Sequence, residues 1–198
     1  MSSKPSKPGD GATDFNACTQ VPMNRVFCIN TFFPVPDGTL VSPFLNPKDN
    51  KSGLPFNLLD GFSLAAGIIE GKSKSKIHVM PFVTQVTFVL RGKLTVKMKS
   101  IEDDVPYPLS LGTGEAVLTE AGTLFQLTNE EADPCKVLYI VSPAYLYEKS
   151  EGKVLYDDSL VLQEDWMQLA DSDWRILQEP LTLEKREETK RRLAAGAT

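Results

Sequence analysis

The 198-residue chain lacks several features that would assign it to a functional class. It has a single histidine and no apolar run near the ~20 residues that span a bilayer. Its first residues have no apolar core of a secretory signal. With 21 basic and 26 acidic residues, its net charge of −5 gives no general attraction for nucleic-acid phosphates or anionic lipids. We therefore expect neither a nucleic-acid partner nor a membrane.

Cysteine is also scarce. Cys18, Cys28 and Cys135 show no Cys-x-x-Cys spacing, and one would be left over if two paired. This pattern favours free thiols that fill small apolar spaces in a reducing compartment. We expect a cytoplasmic protein.

We interpret the chain as one domain, and four segments along it differ in amino-acid composition. Residues 1–20 are rich in Ser, Lys, Pro and Gly and predict a mobile tail, and residues 21–56 predict an arm with many turn residues. Residues 57–148 consist of short runs of Val, Leu, Ile, Thr and aromatic residues, interrupted by Gly, Pro, Asn or Asp. Residues 149–198 predict short helices, and the last of them is almost wholly polar, so we expect it on the surface or packed lightly on a neighbour.

The central segment predicts an all-β protein. In KLTVKMK, three apolar side chains (Leu94, Val96 and Met98) alternate with Lys and Thr, which is typical of a strand with one buried face. Many short strands with no helix between them indicate an antiparallel barrel or a two-sheet jelly roll.

The stretch KIHVMPFVTQVTFVLRG contains the only histidine. Its spacing resembles the first motif of the cupin superfamily, G-x5-H-x-H-x3–4-E-x6-G. In this chain the matching positions are Gly71, His78, Met80, Gln85 and Gly92, with one extra residue after the first glycine.

A second motif follows at the expected separation. The cupin pattern G-x5-P-x-G-x2-H-x3-N is matched in every spacing by Gly114, Glu120, Gly122, Phe125 and Asn129. The resemblance covers about residues 57–148 and implies a cupin-type β-barrel.

The resemblance also indicates where cupins bind metal, and here those positions have changed. They are occupied by His78, Met80, Gln85 and Phe125. Only the histidine is an ordinary ligand, since Met suits Cu(I), a Gln amide is a weak donor and Phe does not ligate. A shift of one residue, for example at a bulge, would turn Gln126 inward and give the set His78, Gln85 and Gln126. That set would bind a divalent ion poorly, so we expect no metal or other cofactor.

We predict that His78 is a catalytic acid or base, because an unperturbed imidazole titrates near ~6.5. The predicted substrate-binding residues are Met80, Gln85, Glu120, Phe125 and Gln126. No carboxylate that could orient the histidine is evident from the sequence.

Three functions remain open at this point. The first is a metal-independent enzyme of the isomerase, cyclase or lyase type that acts on a small organic metabolite around His78. The second is a non-catalytic binding or regulatory protein. The third is a metal-dependent oxygenase or lyase with atypical ligands. The resemblance further implies that a homodimer could form through the arm or the sheet edges.

Overall fold

The fold is given by a computed structural model. It describes residues 27–46, 61–100, 102–150, 153–156, 158–162, 165–170, 184, 186–188 and 191. The tail expected at residues 1–20, with Cys18, lies outside these ranges. Among the described residues, no helix has the length and apolar character needed to cross a membrane.

β-Strands are the main regular structure in the described part of the chain. In chain order the elements are β1 (Phe33–Pro34), β2 (Leu40–Leu45), β3 (Ser63–Ile69), β4 (Ser73–Lys74), β5 (His78–Val79), β6 (Thr84–Arg91), β7 (Lys93–Lys99), β8 (Tyr107–Gly112), β9 (Ala116–Thr119), β10 (Leu124–Asn129), β11 (Cys135–Ser142), β12 (Tyr147–Ser150), β13 (Lys153–Tyr156), β14 (Leu160–Val161) and α1 (Trp166–Ala170).

Twelve of these strands form two antiparallel sheets that share one core, and β12 and β13 form a separate two-stranded sheet. The first sheet has the order β1-β2-β3-β11-β6-β9, and the second has the order β14-β5-β10-β7-β8, with β4 also paired to β10. One cluster of buried apolar side chains draws on strands of both sheets, from Ile69 on β3 to Leu94 on β7. This is the two-sheet jelly roll that the sequence predicts.

The strand alternation predicted for KLTVKMK is confirmed. Leu94, Val96 and Met98 on β7 are buried in the shared core, whereas Lys93 is exposed on the other side. The tight turns fall at the motif glycines. Gly92 between β6 and β7 has a φ of 99°, and Gly122 between β9 and β10 has a φ of 82°, a region that other residues enter only with strain.

The arm is part of the first sheet. β1 and β2 form a hairpin, and β2 pairs with β3 from Leu40↔Ile68 to Leu45↔Leu64. Residues 27–32 are irregular, and β1 begins at Phe33.

The C-terminal helix is tied to the barrel by a buried ion pair. Described residues between 184 and 191 are helical, and Arg186 among them is only 5% exposed. Its Nε donates to Asp158 Oδ1 at 2.8 Å, and its Nη2 donates to the Ala144 carbonyl at 3.1 Å. Asp158 also accepts from the Leu146 backbone N–H at 2.7 Å. Of the two placements open from the sequence, the helix at Arg186 therefore packs on a neighbour, because the guanidinium reaches a buried carboxylate.

The two described cysteines form no disulfide. Cys135 is buried on β11, and burial raises the pKa of its thiol from 9.0 to about 11. An unfolded chain would lose this proton first, so the free energy of unfolding should fall as the pH rises from about 9 to about 11. A single proton contributes a slope of at most ~1.4 kcal/mol per pH unit. Urea unfolding at several pH values should show a shallower fall for Cys135→Ala than for the wild type.

Cys28→Ala is the control for this experiment, because Cys28 is exposed. Its stability should follow the wild-type slope. Equal slopes for Cys135→Ala and the wild type would contradict the expected linkage.

Candidate functional site

His78 lies on β5, next to the position that motif two assigns to a histidine. The register of β5 and β10 pairs it directly with Phe125, and the two ring centroids are 3.9 Å apart at an angle of 57°. His78 is 5% exposed. The phenyl ring of Phe125 therefore packs against the imidazole, and it occupies the position at which the second motif would provide a metal-binding histidine.

A backbone hydrogen bond fixes which imidazole nitrogen carries the proton. Nδ1 of His78 lies 3.0 Å from the carbonyl oxygen of Lys76. Because a carbonyl can only accept, Nδ1 must donate this hydrogen bond. A neutral His78 then presents the lone pair of Nε2, which is the form a general base requires.

Asp37 supplies the carboxylate that sequence reasoning did not find. Its Oδ2 is 3.8 Å from Nε2 of His78, and the residue is 4% exposed. Oδ1 accepts from the backbone N–H of Thr39 at 2.9 Å and from its hydroxyl at 2.8 Å. The Lys76 N–H also donates to the Asp37 carbonyl at 2.7 Å. Lys76 therefore links the hairpin that carries the carboxylate to the histidine that faces it.

The only sequence signal for Asp37 is its place in the dipeptide Asp-Gly, between β1 and β2. That pair predicts a turn, and Gly38 does adopt a φ of 93°. A turn residue is ordinarily exposed to solvent. Nothing in its spacing from His78 indicates that the two side chains meet, because the contact depends on how the arm joins the sheet.

His78 and Asp37 face a cavity of about 70 Å³. The arm hairpin provides one wall with Val41, Pro43 and Asn46, and β11 provides another with Tyr139 and Val141. Most of the lining is apolar or aromatic. Two predicted substrate-binding residues, Met80 and Gln85, also line this cavity.

Gln85 is held by its own strand. Its Nε2 donates to the hydroxyl of Thr87 at 3.0 Å, and both side chains are buried on the inner face of β6. This bond offsets the cost of burying the amide inside the barrel. It also fixes the orientation of the Gln85 side chain at the cavity wall.

Tyr139 provides a neutral hydroxyl at the cavity. Burial, with the Asp37 carboxylate and Cys135 nearby, raises the pKa of the phenol well above its usual 10. The ring lies over Gly67 of β3, where an added Cβ would meet Tyr139 Cε2 at 2.4 Å. Gly67 thus leaves room for this ring, and the phenol stays protonated as a hydrogen-bond donor. Sequence reasoning did not identify Tyr139.

The structure resolves which of Phe125 and Gln126 faces inward. Phe125 belongs to the shared core, whereas Gln126 lies on the outer face of β10. There its Nε2 donates to the Ser75 carbonyl at 2.7 Å, and its Oε1 accepts from Trp166 Nε1 at 3.0 Å. The one-residue shift that would turn Gln126 into the barrel therefore does not occur, because β10 keeps its regular alternation without a bulge.

Two further residues of the predicted site do not line the cavity. Phe125 reaches it only through His78, which it contacts from the core side. Glu120 is exposed in the turn between β9 and β10, so a direct contact with a ligand in this cavity is not supported.

The metal-ligand set considered from the sequence does not come together. His78 and Gln85 face the cavity, but Gln126 is bonded to Trp166 on the opposite side of the sheet. Within the described ranges, no three His, Cys, Asp or Glu side chains form a group that could hold a metal ion. The side chains around His78 do not fit the metal centre that the motif implies.

Comparison with family models and with curated proteins gave no match. Solved structures of similar shape include the CENP-C cupin domain of Drosophila melanogaster (14% identity, 59% of this chain, 74% of that chain, TM-score 0.43). Another is the capsular polysaccharide assembling protein CapF of Staphylococcus aureus (14% identity, 68% of this chain, 32% of that chain, TM-score 0.49). A third is BH2720 of Bacillus halodurans (22% identity, 49% of this chain, 71% of that chain, TM-score 0.41). These values describe similarity of shape alone.

The order of the strands, the shared core and the positions of both motifs define a β-barrel of the cupin type. Its cavity holds a histidine and an arm-borne carboxylate, whereas the two motifs that the sequence resembles would place several metal ligands there.

Proposed function

We propose that this protein is a metal-independent enzyme. It would catalyse the isomerisation or cyclisation of a small organic metabolite bound beside His78, or the elimination of a small group from it. One observation carries the proposal: the buried side chains of His78 and Asp37 face each other, Nε2 to Oδ2, at 3.8 Å at a mainly apolar cavity. A buried imidazole beside a carboxylate, at the edge of a space that can hold a ligand, is an arrangement suited to proton transfer.

The chemistry can be written with the residues of the cavity. Neutral His78 accepts a proton at Nε2 from a ligand carbon next to a carbonyl group. The electrons of the broken C–H bond move to the carbonyl oxygen, and the neutral Tyr139 hydroxyl is suited to donate a hydrogen bond to the enolate that forms. His78 then returns the proton to a neighbouring atom, which gives an isomer and regenerates the free base.

Asp37 has a defined part in this cycle. When Nε2 takes up a proton, the imidazolium lies close enough to the carboxylate for a favourable charge interaction in a site largely shielded from water. The carboxylate itself is held in place by Thr39. Asp37 is thus a carboxylate partner for His78. No such partner was evident from the sequence, and that had counted against catalysis by His78.

Activity-based metabolite profiling tests the proposal. Untagged protein, with and without EDTA, is incubated with a mixture of small polar and apolar metabolites, and the products are analysed by mass spectrometry. We expect one compound to be consumed and a product of equal mass, or of mass lower by one small leaving group, to appear. Because the proposed proton transfer needs no metal, EDTA should leave the rate unchanged.

The matched control is His78→Ala, and a tag is avoided because its own histidines bind metal. Binding of a compound by both proteins with no product after long incubation would favour the non-catalytic binding protein. A conversion that stops with EDTA and returns with added metal would overturn the metal-independent mechanism.

A further inference from the structure

The facing atoms of His78 and Asp37 set a requirement for any ligand. Nδ1 donates to the Lys76 carbonyl, so Nε2 of the neutral ring is an acceptor. Oδ2 of Asp37 is also an acceptor, and the 3.8 Å between the two atoms is too long for a direct hydrogen bond. Two acceptors that face each other are best satisfied by a group that brings a polar hydrogen.

The charge of the cavity adds a second requirement. Among the described residues that line it, Asp37 is the only carboxylate and no lysine or arginine is present. The exposed lysines 72 and 74, which the sequence places near His78, are not part of the lining. A carboxylate or phosphate bound here would lie close to Asp37 without a permanent cation to compensate it, and both the repulsion and the lost hydration would weaken binding.

The remaining polar side chains of the lining, Gln85 and Tyr139 among them, are uncharged and fit the same class of ligand. Tyr139 offers a neutral hydroxyl that can donate to a carbonyl or ether oxygen. Most of the lining is apolar or aromatic, and the volume of about 70 Å³ limits the ligand to a small molecule or to one end of a larger one.

We propose that the cavity selects small uncharged compounds that carry a hydroxyl group, and that it excludes carboxylated and phosphorylated compounds of the same size. The hydroxyl hydrogen would lie between Asp37 Oδ2 and His78 Nε2. This inference rests on the proposed function in so far as the same cavity is the active site, but it concerns binding and can be tested without turnover.

The single histidine makes the test direct. Protein labelled with 13C at the histidine Cε1 position, without a tag, gives one histidine resonance, that of His78. At a fixed pH of 7.5 the protein is titrated with phenol, which is neutral, and with benzoate, which has the same ring and a negative charge. We expect a saturable shift with phenol and binding of benzoate weaker by about tenfold or more.

Asp37→Asn should reduce the difference between the two probes to about threefold or less, because it removes the charge and keeps an oxygen that can accept from Thr39. Glu102→Gln removes one negative charge from an exposed turn and should keep the wild-type preference. Circular dichroism checks that both variants fold. If Asp37→Asn does not fold, the ratio of the phenol and benzoate affinities of the wild type alone decides the inference. Benzoate binding as strong as that of phenol, or no saturable shift with phenol, would overturn it.

The outcome is separable from that of the proposed function. Selective binding of phenol without any conversion in metabolite profiling would support the ligand class and refute the enzyme. A conversion of a carboxylated compound that depends on His78 would support the enzyme and refute the ligand class.

Discussion

Replacing His78 with alanine is expected to lower kcat by about 10²- to 10⁴-fold, which is the usual contribution of a positioned general acid or base. The chain contains no other histidine that could take over the proton. Asp37, the other ionisable group close to Nε2, is already engaged by Thr39 through Oδ1. The loss should therefore appear in kcat more than in KM, once a substrate has been identified by profiling.

Two further variants make this result specific. His78→Gln keeps a polar side chain of similar size against Phe125, so it should remain folded and yet be as inactive as His78→Ala. Lys93→Ala alters the exposed outer face of β7 and should keep wild-type kcat. Turnover within about threefold of wild type in a folded His78→Gln protein would exclude His78 as the catalytic group.

The largest effect on stability is expected from Asp158→Ala. This change leaves the Arg186 guanidinium buried without its carboxylate, and removal of one partner from a buried pair typically costs about 3–5 kcal/mol. For a domain of this size the loss corresponds to a fall in Tm of roughly 10 °C. Urea unfolding and thermal melting of the variant measure both quantities.

The chain contains an exposed ion pair for comparison. Lys93 and Glu131 are 3.4 Å apart, with side chains 75% and 53% exposed, and Glu131→Ala should cost less than about 1 kcal/mol. A double variant, Asp158→Leu with Arg186→Met, should recover part of the stability lost in Asp158→Ala, because no unpaired charge remains. Equal small losses for Asp158→Ala and Glu131→Ala would mean that the buried pair does not anchor the helix.

Much of the fold was predictable because it follows from local patterns. The alternation in KLTVKMK defines the inner face of β7, and glycines at fixed spacings mark the turns at Gly92 and Gly122. The position of His78 inside the barrel follows from the same motif spacing. Each of these depends on residues that are neighbours in sequence or paired in adjacent strands.

The parts that could not be predicted depend on distant contacts. Asp37 reaches His78 only because the arm hairpin pairs with β3 and bonds to Lys76. The sequence left open whether Phe125 or Gln126 faces inward, and the regular alternation of β10 places Gln126 on the outer face, where it accepts a hydrogen bond from Trp166. Arg186 lies in a sequence that is polar on all sides, and only the buried carboxylate of Asp158 explains why it is inside.

The pairing of β2 with β3 has a practical consequence for anyone who shortens this chain. A version cut down to residues 57–148 would keep both cupin motifs and every strand from β3 to β11. It would, however, turn β3 into an unprotected edge and invite aggregation. It would also remove one wall of the cavity together with its only described carboxylate. The segment that is enough to show the fold is thus shorter than the segment that the proposed chemistry needs.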